Sequence, residues 1–216
     1  MSDARSAAPG SSGRPAIDVS DLPGFGLGHR EPIWWGVLCL LAIEGTGFVL
    51  IFATYFYIRG NEATQWPSTG VPLSTYASAI VGAVLLVVSA FTMFRTDRAA
   101  RSASIPGTKL WLGLSIVVGV AFVAVRAWEL STLPFRWDSH AYGSVVWVTL
   151  CMHLFHAVAA TGENAALLAV LLFKPVEKHH LSDIDANGFY WYFVVVSGFV
   201  VYALLYLDPR VLGALR

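Results

Sequence analysis

The sequence has little charge and little cysteine. Only 13% of its 216 residues are Asp, Glu, Lys or Arg, against about 25% in an average soluble domain. Fourteen basic side chains balance fourteen acidic ones, so the basic excess of a nucleic-acid-binding protein is missing. Two cysteines, Cys39 and Cys151, are too few to staple a chain of this length, which excludes a disulfide scaffold.

Apolar residues, in contrast, make up 56% of the chain, too much for a disordered protein. They are gathered in five long runs, at about 33–58, 76–94, 110–130, 142–173 and 189–207. About 20 helical residues cross a hydrocarbon layer of about 30 Å. Because lipid offers the backbone no hydrogen-bond partners, the backbone groups of each run must bond to one another, as they do in a helix. The sequence therefore predicts an all-α integral membrane protein, a bundle of five transmembrane helices.

Polar segments separate the runs and set the predicted domain organisation. Residues 1–32 are rich in Gly, Pro and Ser and predict a flexible polar N-terminal tail, followed by a transmembrane domain over 33–216. Connections are expected where Pro, Gly or charged residues cluster, at 61–72, 96–109, 132–140 and 174–187.

The cations are distributed unevenly between the two sides of this predicted bundle. Nine of the fourteen fall in the tail and in the connections after the second and fourth runs, and four fall on the opposite side. Because cytoplasmic segments carry the excess of Lys and Arg, we expect the N-terminus in the cytoplasm and the C-terminus outside. The remaining cation, Arg126, lies inside the third run.

Arg126 is one of several ionisable residues within the apolar runs. Such residues are expensive in lipid, so each is expected to face protein and to have a partner. Arg126 and Glu129 are three residues apart and share one helix face. We predict an ion pair near the outer end of the third helix, with a gating or proton-path role as the alternative.

A second polar group combines Glu44 in the first run with His153, His156 and Glu163 in the fourth. Counting along the helices places Glu44 about 16 Å and Glu163 about 15 Å from the cytoplasmic ends, and His156 about 10 Å nearer the outside. We predict that Glu44 pairs with His156, or with Glu163 through a shared proton. The spacing does not determine whether Glu44 is neutral or ionised against a protonated histidine.

Three interpretations of this group remain open: a hydrogen-bonded polar core that fixes helix register, a proton supply or store, and a metal site. Carboxylates and imidazoles suit non-haem iron or manganese, but the Glu-x-x-His pattern of di-iron bundles is missing. The metal hypothesis would use Glu44, Glu129, His153, His156 and Glu163. We expect no metal, and also no haem, because two histidines on one helix face cannot bind one iron from opposite sides.

Four stretches together resemble subunit III of the haem–copper oxidases, the cytochrome c oxidase type, in its five-helix bacterial form. They are WGVLCLLAIEGTGFVLIFATYFY at 35–57, AWE at 127–129, YGSVVWVTLCMHLFH at 142–156 and FYWYFVVVSGFVVYALLY at 189–206. In this resemblance Glu44 matches the family's carboxylate-reactive glutamate.

The resemblance implies an accessory, non-redox subunit of a terminal respiratory oxidase in the bacterial inner membrane. Such a chain would have no catalytic centre and no cofactor of its own. It would lie beside catalytic subunit I, which carries the haems and copper, with subunit II and membrane phospholipids as further partners. It would stabilise the catalytic subunit of a cytochrome c or quinol oxidase and support proton uptake during oxygen reduction.

The chain departs from the family pattern at several positions. Residues 191–195 are Trp-Tyr-Phe-Val-Val where the family has Trp-His-Phe-Val-Asp; Ala160 replaces a glycine, and Glu163 is an addition. These departures indicate a divergent branch with a changed polar core. Two alternatives to the oxidase subunit stay open: a nitric oxide reductase-associated accessory protein of the same fold, and a small membrane metalloenzyme using Glu44, His153, His156 and Glu163.

Overall fold

The computed structural model describes residues 32–61, 66, 76–173 and 180–207. These residues form five helices and no strand: α1 (Pro32–Asn61), α2 (Tyr76–Arg101), α3 (Ile105–Ser131), α4 (Ala141–Phe173) and α5 (His180–Tyr202), the last continued by a π-helical turn at Ala203–Leu207. All five are long and apolar enough to cross a membrane. The all-α prediction of five membrane helices is confirmed, whereas the orientation of the termini stays a prediction.

Helix α5 lies at the centre of the bundle and α1 at its edge. Helix α5 packs against α1, α2 and α4, while α3 packs between α2 and α4. The most apolar part of α5 is 61% buried, whereas that of α1 is only 11% buried. One broad face of α1 is therefore not covered by the other described helices.

The helices extend beyond the apolar runs that predicted them. Helix α2 continues to Arg101 and α3 already begins at Ile105, so the connection expected over 96–109 is reduced to a short turn with Ala103 in the left-handed region, at a φ of 56°. Helix α5 begins at His180, well before residue 189. A helix continues into the head-group layer as long as its backbone bonds are satisfied, so hydropathy marks only its middle part. The predicted tail, apart from Pro32, lies outside the described residues.

Gly198 allows α5 to approach α4 and α2 closely. A Cβ atom at this position would lie 2.7 Å from His153 Nε2 and 2.7 Å from Leu86 Cδ1, both in the packed interior. We predict that Gly198→Ala lowers the free energy of unfolding by about 1–3 kcal/mol, since overpacking forces its neighbours to move. Detergent-titrated unfolding followed by circular dichroism measures the change.

Gly162→Ala is the matched control, because a Cβ atom at Gly162 would have no neighbour within 4 Å. It should be neutral, or stabilising by up to about 1 kcal/mol, as expected for a glycine-to-alanine change inside a helix. Equal losses of stability in Gly198→Ala and Gly162→Ala would contradict the close packing at Gly198.

Candidate functional site

Glu44 on α1 and His156 on α4 meet inside the bundle. His156 Nε2 lies 3.4 Å from Glu44 Oε2, and His156 Nδ1 lies 2.7 Å from the backbone oxygen of Met152. A carbonyl oxygen only accepts hydrogen bonds, so Nδ1 carries a hydrogen. His156 Nε2 and Glu44 Oε2, which has no hydrogen-bond partner among the described residues, are therefore two acceptors that one proton would join.

That proton can reside on either partner without changing the net charge of the pair. Glu44 as a carboxylic acid donates to a neutral His156, or a protonated His156 donates to a Glu44 carboxylate. The rings of Phe48 and Phe193 lie 5.1 and 6.2 Å from the His156 ring. These rings give one side of the pair apolar surroundings, in which an unpaired charge is costly.

Tyr190 on α5 adds a third group to the site. Its side chain is buried and lies in the electrostatic field of both Glu44 and Glu163. The site is thus assembled from α1, α4 and α5, which meet where the peripheral α1 contacts the central helices.

Glu163 lies on the exposed side of α4, close enough for its charge to interact with that of Glu44. The estimate that His156 lies about 10 Å nearer the outside than Glu44 is wrong, because His156 Nε2 lies 3.4 Å from Glu44 Oε2. The level of Glu44 relative to Glu163 stays a prediction. Counting residues assumes that the helix ends lie level, which the sequence does not determine. Of the two partners predicted for Glu44, His156 is the one that the structure places in contact.

His153 has a different environment from His156. Its Nε2 lies 3.0 Å from the backbone oxygen of Val194 on α5, the side chain is fully buried, and its ring meets Phe122 on α3 edge-on. Nε2 therefore carries the hydrogen, and among the described residues Nδ1 has no partner. The stripe predicted on α4 divides here: His156 faces α1, while His153 joins α4 to α5.

Arg126 and Glu129 form a separate polar site on α3. Arg126 Nη1 lies 2.7 Å from Glu129 Oε2, and both side chains are fully buried. The guanidinium lies 4.7 Å from the ring centre of Tyr202 and 5.5 Å from that of Phe122, so aromatic rings from α5 and α3 cover the charge. The geometry is that of a buried salt bridge, and its gating alternative stays a prediction.

The residues of the metal hypothesis do not converge. In the described part of the chain, no three His, Cys, Asp or Glu side chains lie close enough together to hold a metal ion. Glu129 faces Arg126 and His153 faces Val194, which leaves them directed away from Glu44. The arrangement suits proton sharing better than metal binding, and the expected lack of a cofactor stays a prediction.

Two polar contacts of the interior were missed by the sequence interpretation. One is Tyr190, described above; the other is a contact between α4 and α5, where Asn187 Nδ2 donates to Asn164 Oδ1 at 2.6 Å and Asn164 is fully buried. An available signal was the spacing of Asn187 and Tyr190, three residues apart, which places both on one face of α5.

Comparison with known proteins adds an independent observation. Residues 27–209 match the model of a family described as "Cytochrome c oxidase subunit III". Cytochrome c oxidase subunit 3 of Synechocystis sp. is 25% identical over 185 residues, 83% of this chain and 77% of that protein. Probable cytochrome c oxidase subunit 3 of Nocardia farcinica is 29% identical over 177 residues, 79% of this chain and 85% of that protein. The family match spans all five helices.

Proposed function

The chain belongs to the cytochrome c oxidase subunit III family, and from this we propose that it is an accessory subunit that stabilises the catalytic subunit of a terminal oxidase and supports its proton uptake. The membership confirms the resemblance seen in the sequence. Together with the five apolar helices, it makes the chain a multi-pass membrane protein. We place it in the bacterial inner membrane.

The contact between Glu44 and His156 is the observation that carries the proton-related part of this proposal. Glu44 Oε2 and His156 Nε2 lie 3.4 Å apart, and the second histidine nitrogen already donates to a carbonyl, so we assign to this pair the holding and passing of a proton. A chain whose function was purely structural would have no need for two ionisable groups in this place, since apolar residues pack helices at lower desolvation cost.

Glu163 and Tyr190 extend this proton site. Tyr190 interacts with both carboxylates, and Glu163 is exposed on a membrane-spanning helix. We assign Glu163 as a second carboxylate that exchanges a proton with Glu44.

The partners follow from the family. Subunit I, which would hold the haems and copper, and subunit II are the proposed protein neighbours, and phospholipids are the proposed lipid neighbours. The exposed face of α1, of which only a small part is buried within the chain, supplies an apolar surface for such neighbours. Oxygen reduction itself is assigned to the catalytic subunit.

Removal of the chain from the purified oxidase tests the proposal. We expect the oxidase without it to consume oxygen at first and then to lose activity over successive turnovers, because proton delivery no longer keeps pace. Adding the chain back should restore sustained activity. Equal persistence of activity with and without the chain, at equal haem content, would contradict the proposed role.

A further inference from the structure

A recess at the turn between α2 and α3 lies outside the proton site of the proposed function. It has a volume of about 280 Å³, near the lower size limit of ligand pockets, about 300 Å³. Its lining consists of Arg95, Arg98, Ala99, Ser102, Ser104, Gly107 and Trp111. We propose that this recess binds the phosphate head group of an anionic phospholipid, independently of whether the oxidase assignment holds.

The arginines at the end of α2 are divided between two faces. Arg101 is neutralised, since it bonds to Asp97 at 3.0 Å and to Asp185. Arg95 and Arg98, three residues apart on the face that lines the recess, form no ion pair with any carboxylate among the described residues. Two forked guanidinium groups without a counter-ion, on one wall of a recess, suit a phosphate, which they can bind bidentately.

The opposite wall of the recess consists of an aromatic ring, a serine hydroxyl and a glycine. The Arg95 guanidinium lies 4.8 Å from the ring centre of Trp111 on α3, which restricts its orientation. Ser104 directly precedes α3 and makes no side-chain capping bond, so its hydroxyl is available to a ligand. A Cβ atom at Gly107 would meet Ser104 Oγ at 2.9 Å, so the glycine keeps this wall open.

The level of the recess in the bundle indicates a lipid rather than a free anion. Arg95 lies about 9 Å before the end of α2 and Trp111 about 9 Å after the start of α3, the depth at which head groups meet hydrocarbon and tryptophan is enriched. Phe91 stacks edge-on against Trp111 at 6.0 Å and is 54% exposed. A ligand with its phosphate on the arginines would place its acyl chains along this exposed aromatic surface.

Binding to the purified full-length protein in detergent tests the proposal. Dihexanoyl phosphatidylglycerol, dihexanoyl phosphatidylcholine and sodium phosphate are titrated separately by calorimetry. We expect phosphatidylglycerol to bind most tightly, and the Arg95→Gln/Arg98→Gln variant to bind it about tenfold or more weakly, since hydrogen bonds to charged groups are lost. Arg136→Gln, which removes an exposed arginine from a different connection, should bind like the wild type.

Several results would overturn the lipid site. They are equal affinity for phosphatidylcholine, equal affinity for inorganic phosphate, which would indicate a free-anion site, and equal weakening by Arg136→Gln. Circular dichroism shows whether the double variant is folded. If it is not, Arg95→Lys/Arg98→Lys replaces it: the lipid preference should persist at lower affinity because the forked geometry is lost. A lysine variant without preference would count against the proposal.

Discussion

Glu129→Gln is expected to lower the free energy of unfolding by about 3–5 kcal/mol, the usual effect of leaving a buried charge without its partner. Both side chains of the Arg126–Glu129 pair have no exposed surface, and Nη1 to Oε2 is 2.7 Å. Nε and Nη2 of Arg126 already lack hydrogen-bond partners among the described residues. With glutamine at 129, the guanidinium would keep its charge in the interior and lose its neutralising carboxylate.

Unfolding in mixed micelles with increasing dodecyl sulfate, followed by circular dichroism, measures this loss. Arg126→Met/Glu129→Leu removes both charges together and should be much less destabilising than Glu129→Gln. The exposed pair Arg136–Asp138 is the control, since Asp138→Asn should change stability by at most about 1 kcal/mol. If Glu129→Gln lowers the free energy of unfolding no more than Asp138→Asn does, the stabilising role of the buried ion pair is contradicted.

With Glu44→Gln, the chain is expected to keep its fold but no longer to sustain oxygen reduction by the oxidase. The glutamine amide can donate a hydrogen bond to neutral His156 Nε2 and thereby replace the contact of 3.4 Å. The substituted pair no longer has a carboxyl group that can exchange a proton with His156. We therefore expect the free energy of unfolding to stay within about 1 kcal/mol of the wild type, and oxygen consumption to decay as in the oxidase that lacks the chain.

The measurement is the time course of oxygen consumption by the oxidase reconstituted with each variant. Infrared spectroscopy in light and heavy water reports in parallel whether the Glu44 carboxyl band is lost. Thr46→Ala is the matched control on α1, because the Thr46 hydroxyl bonds only locally to the Ala42 backbone oxygen, and it should behave as the wild type. A folded, assembled Glu44→Gln complex that consumes oxygen for as long as the wild type would contradict the proton role of Glu44.

The sequence predicts the number and type of helices but not where they end. Five apolar runs of membrane-spanning length imply five helices, because lipid leaves the backbone no other way to satisfy its hydrogen bonds. Arg101 and His180 lie in helices although they lie outside the apolar runs. A polar residue at a membrane surface is equally compatible with a loop and with a projecting helix end.

The sequence predicts which residues form the site better than it predicts which of them are in contact. Ionisable residues in apolar runs are conspicuous, so Glu44, His156 and Glu163 are found by inspection. Which of them touch depends on helix tilt and level, which hydropathy does not contain. The partner of His153 is the backbone oxygen of Val194. Every residue has a backbone oxygen, so the sequence does not indicate which one accepts the hydrogen bond.

Purification of the tagged chain from its native membranes tests the central claim most directly. After mild detergent extraction, the copurifying proteins are identified, and haem and copper are measured by reduced-minus-oxidised spectra and elemental analysis. We predict stoichiometric recovery of a haem- and copper-containing subunit that consumes oxygen. Recovery with a nitric oxide reductase instead, or recovery of the chain alone with no haem protein, would contradict the assignment to a terminal oxidase.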